Sequence, residues 1–135
     1  MDVLMDIGRH WGPATVILAM VQGSRVLKPV VLSGIITGIL KVLSGRKRPD
    51  AKENSKEEFA LFRGQYSDSY QSFPSGHATV AFAFAAASTS KPELKLVFYI
   101  LAGLTAVSRV YHRRHFISDV IVGSIIGYGI GRYAI

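Results

Sequence analysis

The chain has 135 residues, with 16 Lys and Arg against 9 Asp and Glu, a formal net charge of +7 and no cysteine. That length fits one domain with one core, and the lack of cysteine excludes disulfides and Cys-ligated zinc. The positive excess points to an anionic partner: phosphate groups, acidic lipid headgroups or nucleic acid.

In chain order, apolar segments fall near 12–21, 29–43, 76–88, 96–108 and 117–133, and a polar insert covers about 44–72. The first segment is the weakest. Asp2 and Asp6 precede it, and the run after Trp11 has no small-residue cleavage site, so no secretory leader is expected. A basic turn around Arg25 and Lys28 leads into the second segment, with Pro29 suited to its first helical turn. The insert carries most of the charge and opens on Arg46, Lys47 and Arg48. Ser90, Lys91 and Pro92 predict a turn between the third and fourth segments.

Four stretches have no charged face: PVVLSGIITGIL, ATVAFAFAAA, LVFYILAGLTAV and VIVGSIIGYGIG. A helix that is apolar all round is either a central core helix or a membrane span. A domain this small hides about one such helix, so four of them argue for lipid as the solvent. The charge-free runs are mostly 12 to 17 residues, short of the roughly 18 to 20 a span needs. Lys28, Lys41, Lys95, Arg109 and Arg132 extend the segments if they lie near helix ends. Gly123, Gly127 and Gly131 recur every fourth position, as do Gly34 and Gly38, which predicts close helix packing. The expected fold is an all-α transmembrane bundle of about five helices. It forms a single domain over 1–135, with the long polar insert between the second and third helices on the active face.

Three clusters sit at the ends of apolar segments. Lys41 is followed after six residues by Arg48 and Pro49. Pro74, Ser75, Gly76 and His77 form the second. Ser108 and Arg109, then His115 and Asp119, form the third. A transferring phosphoryl group spreads negative charge over its equatorial oxygens and calls for fixed cations and donors. Lys41, Arg48 and Arg109 supply cations, and Arg offers a planar fork that suits phosphate oxygens. Ser75 and Gly76 stand where an apolar helix begins, and backbone N–H groups there bind anions. His115 and Asp119 are four apart, so on a helix they share a face. Singly, each has a plain structural explanation: Lys41 as an interface anchor, Ser75 as a helix cap. His10 and His112 read as peripheral.

In order and spacing, the three clusters resemble the signature of the type 2 phosphatidic acid phosphatase superfamily over about residues 41–119. The resemblance implies that His115 is the nucleophile, that Asp119 orients it, and that His77 donates a proton to the leaving oxygen. It also implies phosphate binding by Lys41, Arg48, Ser75, Gly76 and Arg109, with no metal and no cofactor. The implied substrate is a lipid phosphate or pyrophosphate of the phosphatidate, phosphatidylglycerophosphate, undecaprenyl pyrophosphate or lipid A class. The implied location is the inner membrane, multi-pass, with the site on the extracytoplasmic face and membrane lipids as partners.

Two departures stand out. Related proteins often carry small or apolar residues just before the third-cluster histidine, where this chain has Tyr111, His112, Arg113 and Arg114. Arg113 and Arg114 at the site mouth favour a multiply charged headgroup, or else they hold membrane headgroups. Many membrane relatives also have six spans, so a five-span bundle is expected here. The alternatives are a soluble acid phosphatase and a vanadium haloperoxidase of the same superfamily. A basic nucleic-acid-binding module is disfavoured because the basic residues are split between helix ends rather than forming one aromatic-laced stripe, and no nucleic-acid partner is expected.

Overall fold

The computed structural model describes residues 2–44, 73–112 and 115–133. They form five helices: α1 (Asp2–Gln22), α2 (Ser24–Ser44), α3 (Gly76–Ala87), α4 (Pro92–Tyr111) and α5 (Ile117–Tyr133), with no strand among the described residues. The expected all-α bundle of five helices is what forms. The polar insert, with Arg46, Lys47 and Arg48, lies outside the described residues, as do Arg113 and Arg114.

Two boundaries differ from those expected. The first helix begins at Asp2, ten residues earlier than its apolar run. Asp2 in the first turn suits the positive end of the helix. The buried residues Met5, Gly8, Gly12, Thr15 and Ala19 then recur at spacings of three and four, which keeps them on one face. The break between α1 and α2 falls at Gly23, not around Arg25 and Lys28. Gly23 has φ +100, a left-handed conformation that glycine adopts without strain. Its N–H donates to the Ala19 carbonyl at 3.2 Å, and its own carbonyl accepts from Leu27 N–H at 2.9 Å. Arg25 and Lys28 therefore belong to α2, and Pro29 stands inside that helix rather than in its first turn. The turn expected at Ser90, Lys91 and Pro92 is present, with Lys91 as the cap and Pro92 opening α4.

Successive helices run antiparallel. At one end, the Tyr111 hydroxyl of α4 donates to the Asp2 carboxylate of α1. There too the Ser44 hydroxyl of α2 donates to the Phe73 carbonyl just before α3, at 3.0 Å. Helix α3 packs against all four others. Its Phe84 is fully buried and meets Trp11 edge-on at 6.0 Å and Phe98 at 5.0 Å, around a core that includes Ala19, Val26 and Val30.

The closest approach is α3 against α5. A Cβ on Gly123 would lie 2.6 Å from the Ser75 carbonyl oxygen, and Cβ atoms on Gly127 and Gly131 would overlap the carbonyls of Thr79 and Ala83. Gly8 makes a similar approach to the Leu104 carbonyl, joining α1 to α4. The glycine spacing in α5 thus builds a backbone contact. Among the described residues the same spacing in α2 does not: Gly34 has only Val80 at 3.9 Å, and nothing lies within 4 Å of a Cβ on Gly38.

The pattern of burial is inverted relative to a water-soluble protein. Among the described residues, 23 large hydrophobic side chains are exposed, whereas 11 hydrophobic residues are buried and 6 of those are alanine. The interior also holds Thr15, Ser33, Thr37, Thr79, Thr105 and Ser108. Their hydroxyls donate to carbonyls three or four residues back, at 2.6 to 3.0 Å. Small and hydroxylated residues inside with aliphatic ones outside is the arrangement of helices solvated by lipid. Two helices, α2 and α4, are long and apolar enough to cross a bilayer, with mean hydropathy of 1.9 and 1.4. Helix α5, at 17 residues, reaches about 26 Å, and α3, at 12, about 18 Å. Helix α3 is the central core helix that an all-apolar sequence also allows.

Gly127→Ala should lower stability by about 2–3 kcal/mol, because its Cβ meets backbone that cannot move aside. Gly38→Ala should raise stability by about 0.5–1 kcal/mol through helix propensity alone. Thermal unfolding of the two variants in one detergent checks the pair.

Candidate active site

The sequence clusters meet at the end of the bundle where α2 and α4 finish and α3 and α5 begin. Three links hold them there. Ser75 N–H donates to the Asp119 carbonyl at 3.0 Å, which ties the second cluster to the third. His115 N–H donates to the Arg109 carbonyl at 3.3 Å, which folds the α4–α5 connection back on itself. Gly76 sits against Lys41, whose Cε would lie 3.5 Å from a Cβ built at that glycine. Lys41, Ser75, Gly76, Arg109, His115 and Asp119 thus form one neighbourhood. Arg48 lies outside the described residues.

Burial is graded within this group. Asp119 and Ser75 are fully buried, His115 is 2% exposed and Arg109 7%. Arginine keeps its charge when buried, and its field is little screened there. Lys41 and Gly76 are half-buried.

Ser75 is the N-cap of α3. Its hydroxyl accepts from Ala78 N–H at 3.3 Å and its carbonyl from Thr79 N–H at 3.1 Å. The ordinary capping role therefore holds, and the hydroxyl hydrogen can still be directed at an anion. The Ser75 amide is engaged by Asp119. The backbone donors at the start of α3 then include the Gly76 amide, one of the four that a helix does not satisfy internally.

Asp119 is the point at which the structure departs from the expected geometry. His115 and Asp119 do not share a helical face, because α5 begins at Ile117, after the histidine. Asp119 is instead the third residue of α5. Its Oδ2 accepts from Phe116 N–H at 2.7 Å, and its own N–H donates to the Phe116 carbonyl at 3.0 Å. This is the carboxylate half of a capping box. The same Oδ2 lies 3.8 Å from His115 Nδ1, an ion-pair distance rather than a hydrogen bond. The carboxylate thus faces Nδ1.

His77 is the second residue of α3, half-buried, and its ring lies against α1, with Cδ2 3.0 Å from a Cβ built at Gly12. Sequence reading missed Gly12, because it sits in the weakest apolar segment and far from any cluster. His112, read as peripheral, caps α4. Its Nε2 is shielded from solvent without a hydrogen-bond partner among the described residues. His10 is exposed beside Arg9, as its peripheral reading anticipates. No group of three or more His, Cys, Asp or Glu able to hold a metal occurs among the described residues.

Comparison with known proteins bears on what this neighbourhood is for. Residues 22–135 match the family model described as the PAP2 superfamily. The chain belongs to that superfamily. A lipid A 1-phosphatase of Rhizobium johnstonii is 36% identical over 107 residues, covering 78% of this chain and 43% of the relative. A PA-phosphatase related-family protein of Dictyostelium discoideum is 34% identical over 116 residues, covering 72% and 41%. The chain thus spans less than half the length of these curated relatives. Among solved structures, Aquifex aeolicus LpxE superposes with a TM-score of 0.65 at 24% identity, over 96% of this chain and 82% of that one. That likeness shows the fold. The lipid-facing exterior suits a membrane-embedded member of that superfamily.

The double duty of Asp119 gives a test. Asp119→Asn keeps an oxygen for Phe116 N–H but removes the charge facing Nδ1. Its melting temperature should stay near that of the parent, while phosphatase activity falls by about 10²–10⁴-fold. Asp119→Ala should lose the activity and, in addition, about 1 kcal/mol of stability with the cap. Activity and thermal unfolding measured on both variants separate the two roles.

Proposed function

We propose that this chain is an integral-membrane lipid phosphatase that works through a phosphohistidine on His115. The observation that carries the reading is the convergence of Lys41, Gly76 and Arg109 around a buried imidazole whose Nδ1 faces a carboxylate. In the proposed reaction, His115 Nε2 attacks phosphorus in line and the bond to the lipid oxygen breaks. His77 gives that oxygen its proton. A water molecule, deprotonated by the same His77, then attacks the phosphohistidine. Inorganic phosphate leaves and Nε2 is restored. Lys41, Arg48 and Arg109 hold the equatorial oxygens with the Gly76 amide and the Ser75 hydroxyl, so charge stabilisation comes from side chains and a helix start. The role of Arg48 rests on its spacing from Lys41 alone. On this reading no metal takes part.

The substrate is a phosphorylated lipid because the site opens at the end of helices whose sides are aliphatic. The names of the relatives favour the phosphate of a lipid A-type glycolipid. Phosphatidate, phosphatidylglycerophosphate and undecaprenyl pyrophosphate remain in the panel, and Arg113 and Arg114, just before His115 in the sequence, favour multiply charged headgroups. The chain acts as a single domain in the inner membrane, crossing it several times, with the site on the extracytoplasmic face. Supporting that orientation, Arg25, Lys28, Lys91 and Lys95 belong to the opposite end, where a cytoplasmic surface collects basic residues.

Release of inorganic phosphate from a panel of lipid phosphates in detergent, with chelator present, tests the reading. Activity should persist in chelator. It should fall at least about a thousandfold in His115→Ala, as expected when a nucleophile is removed. In Arg109→Ala it should fall about 10²–10³-fold. Abolition by chelator, or an active and folded His115→Ala protein, contradicts it.

A further inference from the structure

At the end of the bundle opposite the catalytic cluster, a cavity of about 400 Å³ opens between α2, α3, α4 and α5. Three cations stand on its wall: Arg25 at the start of α2, Lys95 near the start of α4 and Arg132 in the last turn of α5. Thr89 and Ser90, between α3 and α4, add two hydroxyls, and no carboxylate among the described residues lines the cavity.

Helix electrostatics do not account for this grouping. A cation is favoured at a helix C-terminus, where Arg132 sits, and disfavoured at an N-terminus, where Arg25 and Lys95 sit. Three like charges around one small cavity also repel each other until an anion enters. The general enrichment of cytoplasmic loops in Lys and Arg is satisfied by scattered residues and does not call for convergence on a cavity. The cavity lies where the candidate spans α2 and α4 begin, at the level of lipid headgroups. A phosphate that enters there between the helices brings its acyl chains onto the aliphatic exterior.

We propose that this cavity binds the phosphate of an anionic membrane phospholipid, in the leaflet opposite the one where substrate is hydrolysed. The proposal rests on the membrane orientation given above but not on the catalytic mechanism. It is a second lipid site, built from residues that take no part in the reaction.

Binding of phosphatidylglycerol, phosphatidylcholine and inorganic phosphate to the purified protein, followed by native mass spectrometry in detergent, tests it without turnover. Phosphatidylglycerol should bind in preference to phosphatidylcholine. The triple variant Arg25→Gln, Lys95→Gln, Arg132→Gln should lose at least about tenfold in that affinity while still releasing phosphate from substrate. Arg109→Ala, altered only in the catalytic cradle, should keep the affinity, so failure of the phosphatase reading and failure of this one are told apart. Should the triple variant not fold, Arg25→Gln and Lys95→Gln serve singly, each with a smaller loss in the same direction. Equal binding of the two lipids, or unchanged affinity in these variants, overturns the proposal. Displacement of phosphatidylglycerol by inorganic phosphate at similar concentration assigns the cavity to a free anion and overturns it too.

Discussion

Helices α3 and α5 touch backbone to backbone, and the arrangement of the site follows from that contact. Gly123, Gly127 and Gly131 of α5 leave no side chain between the helices, so the carbonyls of Ser75, Thr79 and Ala83 come within reach of its backbone. At this separation the Ser75 amide can donate to the Asp119 carbonyl. One hydrogen bond then registers the start of α3 against the start of α5, which brings the glycine amide of one cluster beside the histidine and carboxylate of another. Any side chain at Gly123 would push at the very point where the clusters join. In a lipid-solvated bundle the driving force for such an approach is packing itself, since there is little water to expel from between the helices.

Asp119 ties a helix start to an imidazole through one carboxylate oxygen. By accepting from Phe116 it starts α5 and sets the angle at which the chain enters the helix. The same oxygen faces His115 Nδ1. The helix cap thereby fixes the carboxylate before any substrate arrives, and the histidine faces a charge that cannot swing away. The Arg109 carbonyl accepts from His115 N–H, which fixes the backbone of the α4–α5 connection.

Much of this was legible in the sequence, for identifiable reasons. The clusters stood out because polar residues at the ends of apolar segments have few structural explanations, and three in order have fewer. The number of helices followed from the apolar segments. Other features were hidden because they depend on a partner surface. The fourfold glycine spacing is the same in α2 and α5, yet only α5 meets a backbone across it. Helix α3 and helix α4 read alike as all-apolar, but α3 is the buried centre and α4 presents Leu96, Val97 and Ile100 outward. Hydropathy records that a residue avoids water, not whether lipid or protein replaces the water. The first ten residues of α1 looked too polar for an apolar segment. They are helical because Met5 and Gly8 continue the buried stripe of Gly12, Thr15 and Ala19, with Gly8 against the Leu104 carbonyl of α4. The relation of His115 to Asp119 was anticipated by spacing, but the helix begins between them.

The central claim is that the residue 115 imidazole takes the phosphoryl group. The direct measurement is to quench a reaction of ³²P-labelled lipid phosphate with the protein and map the label by tandem mass spectrometry. The account predicts an acid-labile, alkali-stable phosphoramidate on His115, absent when substrate is omitted. Label on any other residue, or turnover with no covalent phosphoprotein at the shortest quench times, would contradict it.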